Sequence, residues 1–144
     1  ADVDDVAAFV AAFDNGALGV FEASRYARGN RNGNRFEING SKGSVRWDME
    51  NMNQLQLYLE DDDNGLEGFR TIRCTEAEHR DVGTYWPPGH RIGYEHTFVN
   101  LMYEFLQGIG KGQSPSPNFW DGYRNQLVLD AAERSSRTKQ WTKV

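Results

Sequence analysis

The hydrophobic period of this 144-residue chain changes once, after a long irregular segment at residues 75–93. Before that segment apolar residues alternate. Leu55, Leu57 and Leu59 fall on one side of a run, and Gln54, Gln56 and Tyr58 on the other, the period-two pattern of a half-buried strand. After it, Phe98, Leu101, Met102, Phe105, Leu106 and Ile109 recur at spacings of 3, 1, 3, 1 and 3, the apolar stripe of an amphipathic helix. A chain that places its strands first and its helices last is an α+β protein, here with a large, mostly antiparallel sheet.

Turn chemistry divides the strand-forming part. Residues 6–13 are apolar on both faces and are expected to be covered on both sides. Asp14-Asn15-Gly16 then turns the chain back, because Asn and Gly accept positive φ at little cost. Further strands are expected at 17–28, at 34–39 with Phe36 and Ile38 inward, through Val45 and Trp47, at 53–59 and at 69–74. Gly110 and Gly112 end the first helix. Asn118 caps a second at about 119–137, with Tyr123, Leu127, Val128, Ala131 and Ser135 toward the core. Residues 140–143 read as a short last strand, and the whole chain, 1–144, as a single domain.

The net charge of −5 argues against a general polyanion binder. Cys74, the one cysteine, forms neither an internal disulfide nor a cysteine-based zinc site. No run of 18 apolar residues marks a membrane span, and no signal peptide is visible. A cytoplasmic location without membrane contact is expected. The chain begins at Ala1 and enters a strand almost at once, so it reads as a piece of a longer protein.

The stretch FEINGSKGS, residues 36–44, has two glycines three apart around a lysine, flanked by hydroxyls. A Walker-type phosphate loop needs Lys followed by Ser or Thr at a helix start. Here Gly43 follows Lys42, and a strand follows both. A KH-type RNA loop lies between helices, whereas this one lies between strands. A hairpin turn with Ser41 and Lys42 at its tip is the favoured reading.

Three further groups are candidates. Arg25, Arg28, Arg31, Arg35, Lys42 and Arg46 lie within 22 residues against Glu37 alone, a local charge near +5. Such a stripe suits a solvated strand, a pocket for an anionic or polyhydroxylated ligand, or nucleic acid. The run EDDDNG lacks the bidentate Glu of an EF-hand, since the twelfth position is Thr71. His79, His90 and His96 match no zinc spacing. His90 stands among Tyr85, Trp86 and Tyr94, a setting that fits either a structural aromatic–proline loop or contact with a sugar ring.

Taken in order, DNGALGVFEASRYARGNRNGNRFEINGSKGSVRWDMENMNQLQLY, GFRTI, YWPPGHRIGYEHTFVNLMYEFLQGIGKG and PNFWDGYRNQLVLDAAERSS span nearly the whole chain. This ordered set resembles the C-terminal domain of the Gfo/Idh/MocA oxidoreductases, the relatives of glucose–fructose oxidoreductase and inositol dehydrogenase. The resemblance implies an open sheet with two main helices packed on one face. It implies a parent enzyme in which an N-terminal Rossmann domain binds NAD or NADP. The reaction would be hydride transfer from a sugar or polyol. The other sheet face would join subunits into a homo-oligomer, and loops would wall the substrate pocket. On this likeness Arg25, Trp86 and His90 are the expected substrate-contacting residues. Nucleic acid is then not an expected partner.

The departures are as informative. No Gly-x-Gly-x-x-Gly opens a strand–turn–helix. The family's Glu-Lys-Pro motif has no counterpart. Its Asp-x-x-x-His motif has none either, for Asp81 and Asp121 are followed four places on by Tyr85 and Asn125. By that likeness no cofactor, metal or catalytic residue is expected within residues 1–144. The chain alone should be inactive as a dehydrogenase.

Overall fold

The computed structural model describes residues 3–144. It contains six strands, β1 (Val6–Ala12), β2 (Leu18–Ser24), β3 (Arg35–Gly40), β4 (Gly43–Asp48), β5 (Gln54–Leu59) and β6 (Arg70–Arg73). Two helices follow, α1 (Tyr94–Lys111) and α2 (Phe119–Thr138), and short 3-10 turns occupy Met49–Asn51 and Val82–Thr84. The class is α+β, and every strand pair is antiparallel. Two bodies share these elements. The first takes the residues up to Gly29 together with Glu104–Val144, and the second takes Asn30–Tyr103. The strands divide between them as a sheet of two, β1-β2, and a sheet of four, β3-β4-β5-β6.

In the first body the β1–β2 hairpin closes where the sequence places its turn. Phe13 donates to the Ala17 carbonyl at 2.9 Å and Gly16 to that of Phe13 at 2.9 Å. The Asn15 side chain accepts from the Ala17 amide at 3.0 Å. Phe9 and Phe21, paired in register, stack with centroids 4.9 Å apart. The expectation that β1 is covered on both sides is not met. Val6 and Val10 are 54% and 51% exposed, because the described residues supply cover only over Phe9 and Ala11.

Helix α2 starts in a reciprocal cap. Asn118 Oδ1 accepts from the Trp120 amide at 2.8 Å, and Asp121 accepts from the Asn118 amide at 2.9 Å. Its least exposed stripe is Leu127, Val128, Ala131 and Ser135, while Tyr123 is half exposed. At its end Lys139 turns left-handed, φ 58°. Residues 140–143 carry no strand pairing among the described residues, so the last expected strand is not formed. Helix α1 runs from the second body into the first, and its expected inward stripe points outward. Phe98 through Ile109 of that stripe are 47–63% exposed. The covered side is His96, Asn100, Gln107 and Gly108.

The second body is a four-strand meander with segregated rows. Phe36, Trp47, Leu55 and Ile72 lie in register across it, as do Ile38, Val45 and Leu57. On the opposite face Glu37, Arg46, Gln56 and Thr71 form a polar row, flanked by the pairs Arg35–Asp48 and Gln54–Arg73. Side chains directly opposite in an antiparallel pair share a face. Phe36 and Ile38 were expected inward, yet both remain largely exposed, because β3 is the edge strand. The stretch FEINGSKGS is strand, turn and strand, with Gly40 opposite Gly43 and Ser41-Lys42 at the tip. It is a hairpin, as its chemistry requires.

Candidate functional site

The segment between β6 and α1 is held by a closed neck. Thr75 is 5% exposed, and its carbonyl accepts from the Gly89 amide at 3.0 Å. Residues 75–89 therefore form one loop whose ends touch. Inside it His79 Nδ1 accepts from the Glu76 amide at 3.0 Å, and the His79 amide returns to the Glu76 carbonyl at 3.1 Å. Val82, 4% exposed, fills the interior. The amides of Tyr85 and Trp86 both reach its carbonyl, at 3.1 and 3.4 Å.

Two further ties fix the loop to its surroundings. The Tyr85 hydroxyl donates to Asn100 Oδ1 on α1, and its ring meets His96 edge-on at 4.5 Å. His96 Nδ1 in turn accepts from the Gly93 amide at 3.0 Å. Asn53, just before β5, uses both the donor and the acceptor side of its carboxamide on one residue 39 positions on. Nδ2 donates to the Ile92 carbonyl at 2.8 Å, and Oδ1 accepts from the Ile92 amide at 3.0 Å.

Trp86 sits on this loop, and His90 follows one residue past its neck, four residues on from Trp86. Trp86 is 48% exposed. His90 Nδ1 lies 2.9 Å from the Pro87 carbonyl. A carbonyl only accepts, so Nδ1 carries the proton in this contact, and Nε2 is the ring nitrogen that the Pro87 bond does not use. Arg25 belongs to the first body, just past β2, with its amide on the Asp5 carbonyl at 2.8 Å. Trp86 and His90 therefore lie in one anchored segment of the second body, and Arg25 stands on the first.

A cleft of about 360 Å³ adjoins the loop neck, lined by Asn51, Asn53, Gln54, Arg73, Glu76 and Arg91 among others. A second, shallow depression of about 430 Å³ lies over the polar rows of β3–β5. There Arg46 meets the Glu37 carboxylate at 2.6 Å and lies 3.9 Å above the Phe69 ring. Asn39 also donates to Glu37, at 3.0 Å. The Arg46 hydrogen bond, then the Asn39 one, hold the Glu37 carboxyl below the usual carboxylate range. The basic stripe is thus broken up. Arg25 and Arg28 fall on one body, the rest on the other, and Arg46 is spent on Glu37. In the acidic loop before β6, Asp62 is taken by Arg70. Among the described residues no three His, Cys, Asp or Glu side chains gather as a metal site. Nor, among the described residues, is any helix long and apolar enough to cross a membrane.

The family model described as "Oxidoreductase family, C-terminal alpha/beta domain" (GFO_IDH_MocA_C) matches residues 1–144. The chain belongs to the Gfo/Idh/MocA oxidoreductase family. Levoglucosan dehydrogenase of Pseudarthrobacter phenanthrenivorans is 36% identical over 143 residues, which is 99% of this chain and 37% of that protein. A solved oxidoreductase domain protein from Kribbella flavida is 49% identical with a TM-score of 0.93, over 97% of this chain and 36% of that one. A levoglucosan dehydrogenase solved with NADH and levoglucosan is 38% identical with a TM-score of 0.94, over 99% of this chain and 39% of that one. The chain thus spans well under half the length of these relatives. The resemblance seen in the ordered segments is confirmed, and with it the antiparallel α+β architecture of this family's C-terminal domain.

Residue reasoning missed Asn53. Its partner lies 39 positions away, and an Asn beside a strand start carries no local mark of such a pairing.

Proposed function

We propose that the chain is the substrate-side and oligomerisation part of an NAD(P)-dependent dehydrogenase acting on a sugar or polyol. The observation that carries this reading is the anchored segment in which Trp86, 48% exposed, and His90, with Nδ1 held by Pro87, lie four residues apart. An aromatic face covers the C–H side of a sugar ring, and an imidazole nitrogen accepts one of its hydroxyls. Arg25 would add a forked donor for vicinal hydroxyls. The levoglucosan and NADH held by the 38%-identical relative support a carbohydrate substrate and favour NAD over NADP.

Among the described residues there is no Rossmann-type cradle for a dinucleotide. Both sheets are antiparallel, and no glycine-rich turn leads from a strand into α1 or α2. Pyrophosphate recognition of the Rossmann kind needs a parallel βαβ unit. This supports a reading in which the cofactor and the hydride step lie in a separate Rossmann domain of the intact enzyme. The present chain binds and orients substrate. The exposed apolar row through Phe36 and Ile38 supports pairing with a second copy across the sheet. A single thiol, Cys74, suits a cytoplasmic setting.

The test is to assay the intact protein for NAD and NADP reduction against anhydrosugars, aldoses and inositols, with Trp86→Ala and His90→Ala variants. Reduction that weakens in both variants through a raised KM supports the reading. No reduction with any of these substrates overturns it.

A further inference from the structure

We infer that Asn53 is the positioning residue for the loop carrying Trp86 and His90. This rests on the substrate-wall reading of that loop. The geometry is specific. A backbone residue offers one donor and one acceptor, and Asn53 satisfies both for Ile92 with one planar group, at 2.8 and 3.0 Å. The contact is part-buried, so an unmade bond there is not replaced freely by water.

The strand side of the clamp is itself fixed. The Asn53 carbonyl accepts from the Cys74 amide at 2.9 Å, which ties the start of β5 to the end of β6. Gln54, the next residue, is in register with Arg73. Thr75 and Gly89 then close the neck one residue beyond Cys74. Hence Asn53 connects a rigid ladder to Ile92, two residues from His90 and one from Arg91. Without it, Gly89 keeps its bond to Thr75 and Gly93 its bond to His96, but no bond among the described residues ties residues 90–92 between them to the sheet. No other amino acid reproduces both bonds. Asp at this position accepts from the Ile92 amide but faces the Ile92 carbonyl with a second oxygen. Gln extends the amide by one methylene.

The experiment uses the intact protein with Asn53→Ala and Asn53→Asp. Backbone hydrogen exchange is read at Ile92 and across residues 84–92, with the β4–β5 ladder as an internal control. Steady-state kinetics are read alongside it. Expected in Asn53→Ala is exchange at Ile92 faster by about tenfold, an unchanged β4–β5 ladder, and a polyol KM raised by about three- to tenfold while the dinucleotide KM stays level. Asn53→Asp should recover the Ile92 protection and part of the KM. If Asn53→Ala does not fold, Asn53→Asp alone decides, through the KM that its unmatched Ile92 carbonyl should still raise. Unchanged exchange at residues 84–92, or faster exchange with an unchanged polyol KM, overturns the proposal. A wild-type protein that oxidises no polyol overturns the dehydrogenase reading instead. The exchange data then still judge whether Asn53 sets the loop.

Discussion

Gly43 lies so close to Tyr58 that a Cβ built on it would sit 2.2 Å from the Tyr58 carbonyl oxygen. Its φ of +150° is also one that side chains other than hydrogen rarely adopt. The second glycine of FEINGSKGS is therefore required by the approach of β4 to β5.

The consequence is a stability effect with no change in substrate binding. Gly43→Ala must push the β5 backbone away or distort the turn, at a cost of about 2–4 kcal/mol. Urea unfolding should show a lower midpoint with an unchanged slope. Lys42→Ala, at the exposed tip, should leave the midpoint within about 0.5 kcal/mol of wild type.

Glu37 and Arg46 make a pH prediction with a defined sign. Arg46 and then Asn39 depress the Glu37 carboxyl in the folded state. Stability from this pair is fully present above the ordinary carboxylate value. It is lost as pH falls through the lower, folded-state value. Carboxyl NMR titration of Glu37 should give a midpoint below that of a free glutamate, and Arg46→Gln should move it upward. Raising salt should shrink the difference, since both groups face solvent.

The cap of α2 can be tested separately. At the N-terminus of α2 the Asn118 side chain accepts from the Trp120 amide, and the Asp121 carboxylate accepts from the Asn118 amide. Asn118→Ala should lower stability by about 1 kcal/mol, and Asn118→Ser by less. Thermal unfolding followed by circular dichroism measures both.

These particulars show where the sequence is readable and where it is not. Asn15-Gly16, the alternation of 53–59 and the Asn118 cap are local, and each folds as its own chemistry dictates. The α2 stripe from Leu127 to Ser135 was legible for the same reason. The outward turn of Phe98, Leu101 and Ile109 was not, because periodicity identifies an apolar face without saying what covers it. Phe36 and Ile38 show the same gap, since alternation does not reveal that a strand stands at an edge. In the site, Trp86 and His90 were marked by their aromatic neighbours. Asn53 was silent, because its role exists only once β5 and residue 92 meet.

His90 gives the sharpest test of the site, because its two ring nitrogens have separate roles. Nδ1 is committed to the Pro87 carbonyl at 2.9 Å, so any substrate hydroxyl must meet Nε2. Asparagine places its amide near the Nδ1 position and can keep the Pro87 bond, yet it offers nothing at Nε2. Glutamine reaches the Nε2 position and offers an acceptor there, but gives up the Pro87 bond. If Nε2 binds substrate, His90→Gln should retain more activity than His90→Asn. The Asn variant should lose about three- to tenfold in kcat/KM, the worth of one neutral hydrogen bond. If the histidine serves only to lock the loop, the order reverses, and Asn outperforms Gln. Kinetics of the two variants in the intact enzyme, with hydrogen exchange at Gly89 and His90 as the structural control, separate the two roles.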